Sequence, residues 1–385
     1  MIITQIKLKN WKNFLDVDVP LHERTYLLGA NASGKSNLLD VFRFLRDVSK
    51  SQGGGLQKAI HDRGGIKMVR CLHARKDTEV KIEVSLAENG EESQTWRYVL
   101  AFKSEPKGEH RVLISSEEVY SRGKRILHRP DENDKNDPAR LTQTAMEQIQ
   151  ANSNFRDLVK YFEETTYLHL VPQLLKFNDQ IGGQFLEGDP FGQGFLERVA
   201  RTPKTTRDSR LEKIGSALSL VVPHFHELHF IKDDYTGRPH LEAKYAHHRP
   251  NGALQREDQF SDGTLRLIAL LWVLYEGDSL LLLEEPELSL NNSIVQQIPI
   301  LFQHISRNRR KRTRQILTST HSEALLSNTG IDPKGVLLLE SAQEGTRIRT
   351  INEREAVLLK DGFSISEAVL SQTALDTAKQ LSIYN

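Results

Sequence analysis

The sequence holds a single cysteine, Cys71, among 385 residues, which excludes an internal disulfide and fits a reducing, cytoplasmic compartment. Cys71 reads most simply as a small core residue. No apolar run reaches the roughly eighteen residues that a membrane span requires, so no membrane partner is expected. The opening Met-Ile-Ile-Thr-Gln-Ile-Lys-Leu alternates like a strand and lacks the pattern of a secretory leader. Charge of one sign is also missing: 52 basic residues face 51 acidic ones, for a net charge of +1. The molecule as a whole therefore exerts no long-range pull on nucleic acid, and any such binding needs a local basic patch. No fixed-period repeat is present. What remains is a soluble, globular composition, 38% hydrophobic and 27% charged, in a chain long enough for more than one packed unit.

Residues 2–8 and 24–28 read as strands, the second ending at Gly29. An amphipathic helix follows over 35–49, with Leu38, Leu39, Val41, Phe42 and Leu45 on its apolar face. After the flexible Gly53-Gly54-Gly55 come alternating stretches at 67–73, 79–86, 95–102 and 111–120, expected to form an antiparallel sheet with one solvated face. The polar, proline-bounded segment 130–140 reads as an exposed loop. Helical periodicity dominates 140–222, interrupted by a glycine-rich loop at 180–195. Strands resume at 225–246. A helix is expected at 263–276, a fully apolar strand at 280–283, a helix at 292–306 and a strand at 315–319. The tail adds strands at 336–339 and 347–351 and two helices.

Five motifs lie on this frame in fixed order. Gly29-Ala30-Asn31-Ala32-Ser33-Gly34-Lys35-Ser36 matches Gly-x-x-x-x-Gly-Lys-Ser between a strand and a helix. The glycines let successive backbone N–H groups point at phosphate oxygens, and the helix N-terminus adds its positive dipole end. Lys35 would reach the β- and γ-phosphates of ATP, and the Ser36 hydroxyl would hold Mg²⁺. The apolar strand 280–283 runs into Glu284-Glu285-Pro286-Glu287. At the end of such a strand the first acid, Glu284, suits the metal, and the next, Glu285, suits orienting and deprotonating the attacking water. Alone, the acids would read as an ordinary helix start.

Ser261-Asp262-Gly263-Thr264 opens the helix at 263–276. A serine hydroxyl and free N–H groups at a helix start make a second anion site, although in isolation this is an ordinary N-cap. One chain needs one phosphate cradle, so the second is best used on a nucleotide held by another copy. Asn291 follows the acids. His321, in Ser319-Thr320-His321-Ser322, stands where an imidazole could contact the γ-phosphate, although a lone histidine at a strand end is more often a polar surface residue.

Together these residues resemble the ABC-type ATPase superfamily in its RecF, SMC and OLD-like branch, the branch of bacterial anti-phage defence ATPases. Ile6-Lys7-Leu8-Lys9-Asn10-Trp11-Lys12-Asn13-Phe14 resembles the opening of those proteins, as does the P-loop continued through Asn37. Phe260-Ser261-Asp262-Gly263-Thr264-Leu265-Arg266 is similar to the variant signature of OLD-like proteins. The resemblance implies an α/β P-loop ABC-type ATPase head, a mixed sheet with a flanking antiparallel sheet, plus a helical insertion. It divides the chain into an N-terminal ATPase lobe (1–130), a mainly helical insertion (131–222) and a C-terminal lobe (223–385) with the signature, the acids and His321. It implies ATP and Mg²⁺ as ligands, and a homodimer or higher homo-oligomer in which Ser261 and Gly263 of one copy close on ATP held by the other.

The sequence departs from that pattern in places. Asp262 stands for the first signature glycine, Thr264 for a glutamine, and Asn291-Asn292 for His-Pro. No clear metal-sensing glutamine follows the first helix, Gln57 being a weak candidate. The chain lacks the long heptad arm of SMC proteins and the Toprim nuclease domain of OLD nucleases, so a nuclease or toxin effector is expected on a separate polypeptide. Hydrolysis of ATP as a switch for such an effector in anti-phage defence is one expectation. A RecF-like DNA-binding ATPase of repair and recombination is the other.

Three further groups stand outside these motifs. Arg307-Asn308-Arg309-Arg310-Lys311-Arg312-Thr313-Arg314 could meet nucleic acid phosphates, or simply cap a helix end. Lys204, Arg207 and Arg210 form a weaker basic cluster. His224 and His226 would share a face on a strand near His229; a zinc site is conceivable there, but no cysteine or acid set completes it.

Overall fold

The computed structural model describes residues 1–75, 77–88, 94–105, 111–181, 186, 188–246, 253–307 and 314–369. Its centre is a six-stranded sheet ordered β15-β14-β3-β13-β12-β8. The strands are β3 (Arg24–Leu28), β8 (Thr166–Leu168), β12 (Leu281–Glu284), β13 (Ile316–Thr320), β14 (Val336–Ala342) and β15 (Gly345–Arg349). All pair in parallel except the β14–β15 hairpin. β3, β12, β13 and the first half of β14 are buried on both faces, which is why β3, β12 and the start of β14 are rich in leucine. Leu27, Leu282, Leu317 and Leu337 face one core. Tyr26, Leu28, Leu281, Leu283, Ile316 and Leu338 face the other.

The first core is closed by helix α1 (Lys35–Ser49) and an antiparallel sheet ordered β2-β1-β4-β5-β6-β7. Those strands are β1 (Ile2–Trp11), β2 (Phe14–Pro20), β4 (Val80–Ala87), β5 (Gln94–Ser104), β6 (Val112–Ser121) and β7 (Lys124–Arg129). Leu38, Leu39, Phe42, Phe44 and Leu45 of α1 are fully buried there. Phe44 lies 5.1 Å from the ring of Trp11 and 5.6 Å from that of Phe102. Each such side chain contributes about 2 kcal/mol by leaving water. The second core lies beneath the helix Asp262–Glu276, buried nearly all round, and beneath a small sheet of β9 (Phe225–Lys232), β10 (Pro239–Tyr245) and β11 (Ala253–Arg256).

Local expectations differ from the structure in several places. The stretch 67–73 is not a strand. Gly64 and Gly65, both at positive φ, turn the chain into the short helix Ile66–Val69, and only an isolated bridge joins Trp11 to Arg70. Met68 and Leu72 face solvent while Val69 and Cys71 are buried, so the alternation reports two faces of a helical turn and its exit, and not a strand. The segment 130–140 packs rather than waving free. Asp131 and Asp134 form a capping box around the helix Glu132–Asn136, and buried Asp134 takes two hydrogen bonds from Arg129, at 2.9 and 3.0 Å. The helix expected over 292–306 is two, Asn292–Val295 and Ile298–Arg307. Strands β2 and β7 were not anticipated. Between the helices of 131–222, β8 joins the central sheet edge beside β12. The basic run 307–314 lies, apart from its ends, outside the described residues.

Candidate nucleotide site at the strand ends

Parallel pairing brings the C-terminal ends of β3, β13, β12 and β8 to one edge, where ligands of open α/β sheets bind. β3 delivers the loop 29–36, β12 delivers Glu284 and Glu285, β13 delivers His321, and β8 delivers Tyr167. The strand order follows no simple chain order, so the sequence places these groups far apart.

The loop is held in a curled form. Gly34 caps α1 at φ 98°, and a Cβ there would fall 2.1 Å from the Asn13 amide nitrogen, so only glycine fits. Asn13 donates to Thr346 Oγ1 (2.7 Å) and to the Ser33 carbonyl (3.3 Å), and accepts from the Asn37 amide (2.8 Å). Thr346, on the β14–β15 hairpin, donates to the same Ser33 carbonyl at 2.9 Å. Trp11 Nε1 donates to the Asn37 carbonyl at 3.0 Å. Lys35 is turned inward, its amine donating to the carbonyls of Gly29 (2.8 Å) and Ala30 (3.0 Å). Burial lowers the Lys35 amine below its ordinary range, while Glu285, Glu287 and Glu284 oppose that shift. Asn31 is exposed, and the buried Ser33 hydroxyl has no hydrogen-bond partner among the described residues. A lysine parked on carbonyls and an orphaned hydroxyl in a glycine-rich cradle fit an anionic phosphate chain.

The acids complete the edge. Glu284 accepts from the Ser36 hydroxyl on one oxygen and from the Tyr167 hydroxyl on the other. Burial, reinforced by Glu284, pushes the Tyr167 phenol well up, so it stays a proton donor. A serine hydroxyl beside a carboxylate is the hard-oxygen donor set that Mg²⁺ prefers. Glu285 sits at φ 45°, a strained backbone for a non-glycine residue, of the kind that clusters at functional sites. Its N–H donates to the Ser319 carbonyl at 3.1 Å, and its carbonyl accepts from Arg266 at 2.8 Å. The Glu285 carboxylate lies 3.1 Å from His321 Nδ1. Glu287, nearly buried, accepts from Thr320 Oγ1 (2.6 Å) and the His321 N–H (3.3 Å), fixing the backbone that carries the imidazole.

Ser261 stands apart from this cluster. It caps the helix Asp262–Glu276 by accepting from the Thr264 N–H at 3.0 Å, and its residue is exposed. No hydrogen bond among the described residues joins Ser261, Asp262 or Gly263 to the loop 29–37. Asp262 pairs with Lys176 at 2.8 Å, and a Cβ on Gly263 would lie 2.8 Å from the Ser289 carbonyl. Asn291 caps the helix Asn292–Val295. Arg266 ties that helix start to the acids by donating also to the Leu288 carbonyl at 3.0 Å.

Some candidates have other duties. Gln57 is spent on the backbone of Val112 and Thr142 and is not free to sense a metal. His224 precedes β9 at positive φ, so it does not share a strand face with His226. No group of three or more His, Cys, Asp or Glu among the described residues is placed to hold a metal ion. Arg207 and Arg210 lie over the rings of Phe230 and Trp272. No helix among the described residues is long and apolar enough to cross a membrane. The sequence reading missed Asn13, Tyr167, Arg266, Glu287 and Thr346 as parts of this edge. Only Asn13, Arg266 and Glu287 lay inside stretches it had singled out.

Comparison with known proteins bears on the family and the fold. Residues 24–327 match the family model described as "AAA domain, putative AbiEii toxin, Type IV TA system". A curated relative, the DNA replication and repair protein RecF of Agathobacter rectalis, is 32% identical over 92 residues, which cover 23% of this chain and 25% of that protein. The matched stretch is thus about a quarter of the relative's length. Among solved structures, the SMC head domain from Thermotoga maritima aligns over 91% of this chain and 100% of its own, with a TM-score of 0.51 and 14% identity. The Smc head bound to the C-winged helix domain of ScpA aligns over 92% and 100%, with a TM-score of 0.55 and 15% identity. At such identity the structural likeness speaks for the fold, that of an SMC-like ABC ATPase head.

Proposed function

From the premise that the chain belongs to the AAA-domain family described as "putative AbiEii toxin, Type IV TA system", as an ABC-type ATPase related to RecF and SMC heads, we propose that it binds ATP with Mg²⁺ and hydrolyses it in a head-to-tail homodimer. The observation that carries this reading is the convergence of Ser36 with Glu284, and of Glu285 with His321, beside the curled loop. Lys35 would leave its own carbonyls for the phosphates, and the loop N–H groups and the start of α1 would hold them. Ser36 and Glu284 would hold Mg²⁺, which when bound offsets phosphate charge. Glu285 would orient the attacking water and take its proton, and His321 would fix the Glu285 carboxylate. Ser261 is exposed, and no hydrogen bond among the described residues joins it or Gly263 to the loop 29–37, which supports a trans role for this helix start.

In this reading ATP-driven dimerisation is the switch for a separate effector, a nuclease or toxin, in anti-phage defence. The family's description names a putative toxin of a toxin–antitoxin system, which supports a role in such a system. The test is steady-state ATP hydrolysis by wild type, Lys35→Ala, Glu285→Gln and Ser261→Arg. Each variant should lose roughly a hundredfold or more in turnover. Glu285→Gln should keep ATP and accumulate as a dimer by light scattering. Wild-type rates in all three would refute the site. A RecF-like DNA-binding role is the second reading, supported by the RecF match. It predicts ATP-dependent DNA binding that weakens steeply with salt and on neutralising Arg309, Arg310 and Arg312. No binding at low salt would exclude it.

A further inference from the structure

We propose that Tyr167 is the positioning residue for the metal-binding carboxylate: it tethers Glu284 so that this side chain can do the work of a shorter acid. The inference rests on the reading of Glu284 as that carboxylate. A glutamate has one more side-chain torsion than an aspartate, so an untethered Glu284 would spread its oxygens over several positions. The structure removes this freedom by engaging both oxygens, one by Ser36 and one by Tyr167.

The fold fixes the geometry of the tether. Tyr167 pairs with Leu282 across the parallel β8–β12 ladder. Leu282 and Glu284 are two residues apart on one strand and so share a face of the sheet with Tyr167. The tyrosine ring is pinned in turn by Arg43, whose guanidinium lies 4.2 Å from the ring centroid. Arg43 and Ser36 sit about two turns apart on one stripe of α1. The helix that starts at the phosphate loop thus grips both ends of the assembly: Ser36 the carboxylate, Arg43 the tyrosine. When the serine hydroxyl turns to a metal, the tyrosine bond is the one left to hold the carboxylate. Loss of a group that orients a metal ligand in this way typically lowers metal affinity by about ten- to a hundredfold.

The experiment measures Mn²⁺ affinity by electron paramagnetic resonance, with the full chain saturated by a non-hydrolysable ATP analogue. Tyr167→Phe removes one oxygen and keeps the ring beneath Arg43. It should weaken Mn²⁺ binding by roughly tenfold, while affinity for the analogue in excess chelator stays within twofold of wild type. In a Glu284→Asp background, where the shorter acid lies out of reach, Tyr167→Phe should have no further effect. Wild-type Mn²⁺ affinity in Tyr167→Phe, alongside weakened binding in Glu284→Gln, would overturn the tether and leave the metal assignment standing. Unchanged affinity in Glu284→Gln would overturn the metal assignment itself. An equal loss on Tyr167→Phe with and without the Glu284→Asp substitution would mark a general structural effect and also refute the proposal.

Discussion

Replacing Thr346 by valine isolates one physical question: how much of the nucleotide affinity is stored in the shape of the loop before any nucleotide arrives. Valine keeps the volume and the branched Cβ, so it should hold its place in β15, but it deletes the hydroxyl. Two hydrogen bonds go with it, the 2.9 Å bond to the Ser33 carbonyl and the 2.7 Å bond from Asn13. At about 1 kcal/mol each, the curled loop loses about 2 kcal/mol relative to open forms. The Ser33 carbonyl keeps only the weaker 3.3 Å contact from Asn13, and Asn13 itself becomes free to swing. If all of this energy stabilises the binding-competent loop, ATP affinity falls by roughly thirtyfold. If the loop is curled well in excess without the bonds, the fall is smaller. Isothermal titration with ATP in excess chelator, so that no metal contributes, reads the change. A fall of about five- to thirtyfold with little change in melting temperature is expected. Affinity within twofold of wild type, together with a lower melting temperature, would refute the idea that the hairpin pre-shapes the loop. It would make Thr346 an ordinary fold contact.

Other outcomes follow from the same geometry. Gly34→Ala forces a side chain into a positive-φ position and against the Asn13 amide, so ATP binding should be undetectable by titration and the melting temperature lower. Asp40, buried on α1, feels burial as an upward push on its carboxyl, but the Arg63 charge and hydrogen bonds, with those of Lys12, outweigh it and hold the group below its ordinary range. A depressed carboxyl stabilises the fold above its unfolded value, about pH 4. That contribution is lost as pH falls through the folded value. Denaturant titrations should therefore show stability dropping below about pH 4, and Asp40→Asn should lower stability at neutral pH by about 3 kcal/mol while making the acid-side drop shallower. Gly263→Ala pushes a methyl group against the Ser289 carbonyl and should reduce ATP-dependent dimer, read by light scattering, without weakening ATP binding to the monomer.

The phosphate loop, the apolar strand before the acids and the serine-capped helix were legible because each depends on contiguous residues. A strand ending in glycines, followed by a helix with an apolar face, announces its own geometry. The misreadings share a cause. Segment 67–73 alternates and buries Val69 and Cys71, but the turn at Gly64 and Gly65 starts a short helix there instead of a strand. Segment 130–140 is polar, but Arg129 reaches into it and draws Asp134 into the interior. Alternation and polarity report a tendency to face water, and a distant partner can overrule either.

The sequence by itself determined which chemical groups are available: a glycine-rich loop at a helix start, a serine and carboxylates, an imidazole, and a second serine-capped helix start. Tertiary structure alone decided which of them meet. Asn13 meets Thr346 across 333 residues, Ser36 meets Glu284 across 248, and Tyr167 meets Glu284 across 117. The physical reason is the parallel sheet. Its strands become neighbours only through long crossovers whose packing, rather than any local pattern, sets their order. Once that order is set, every parallel strand delivers its terminal residue to the same edge.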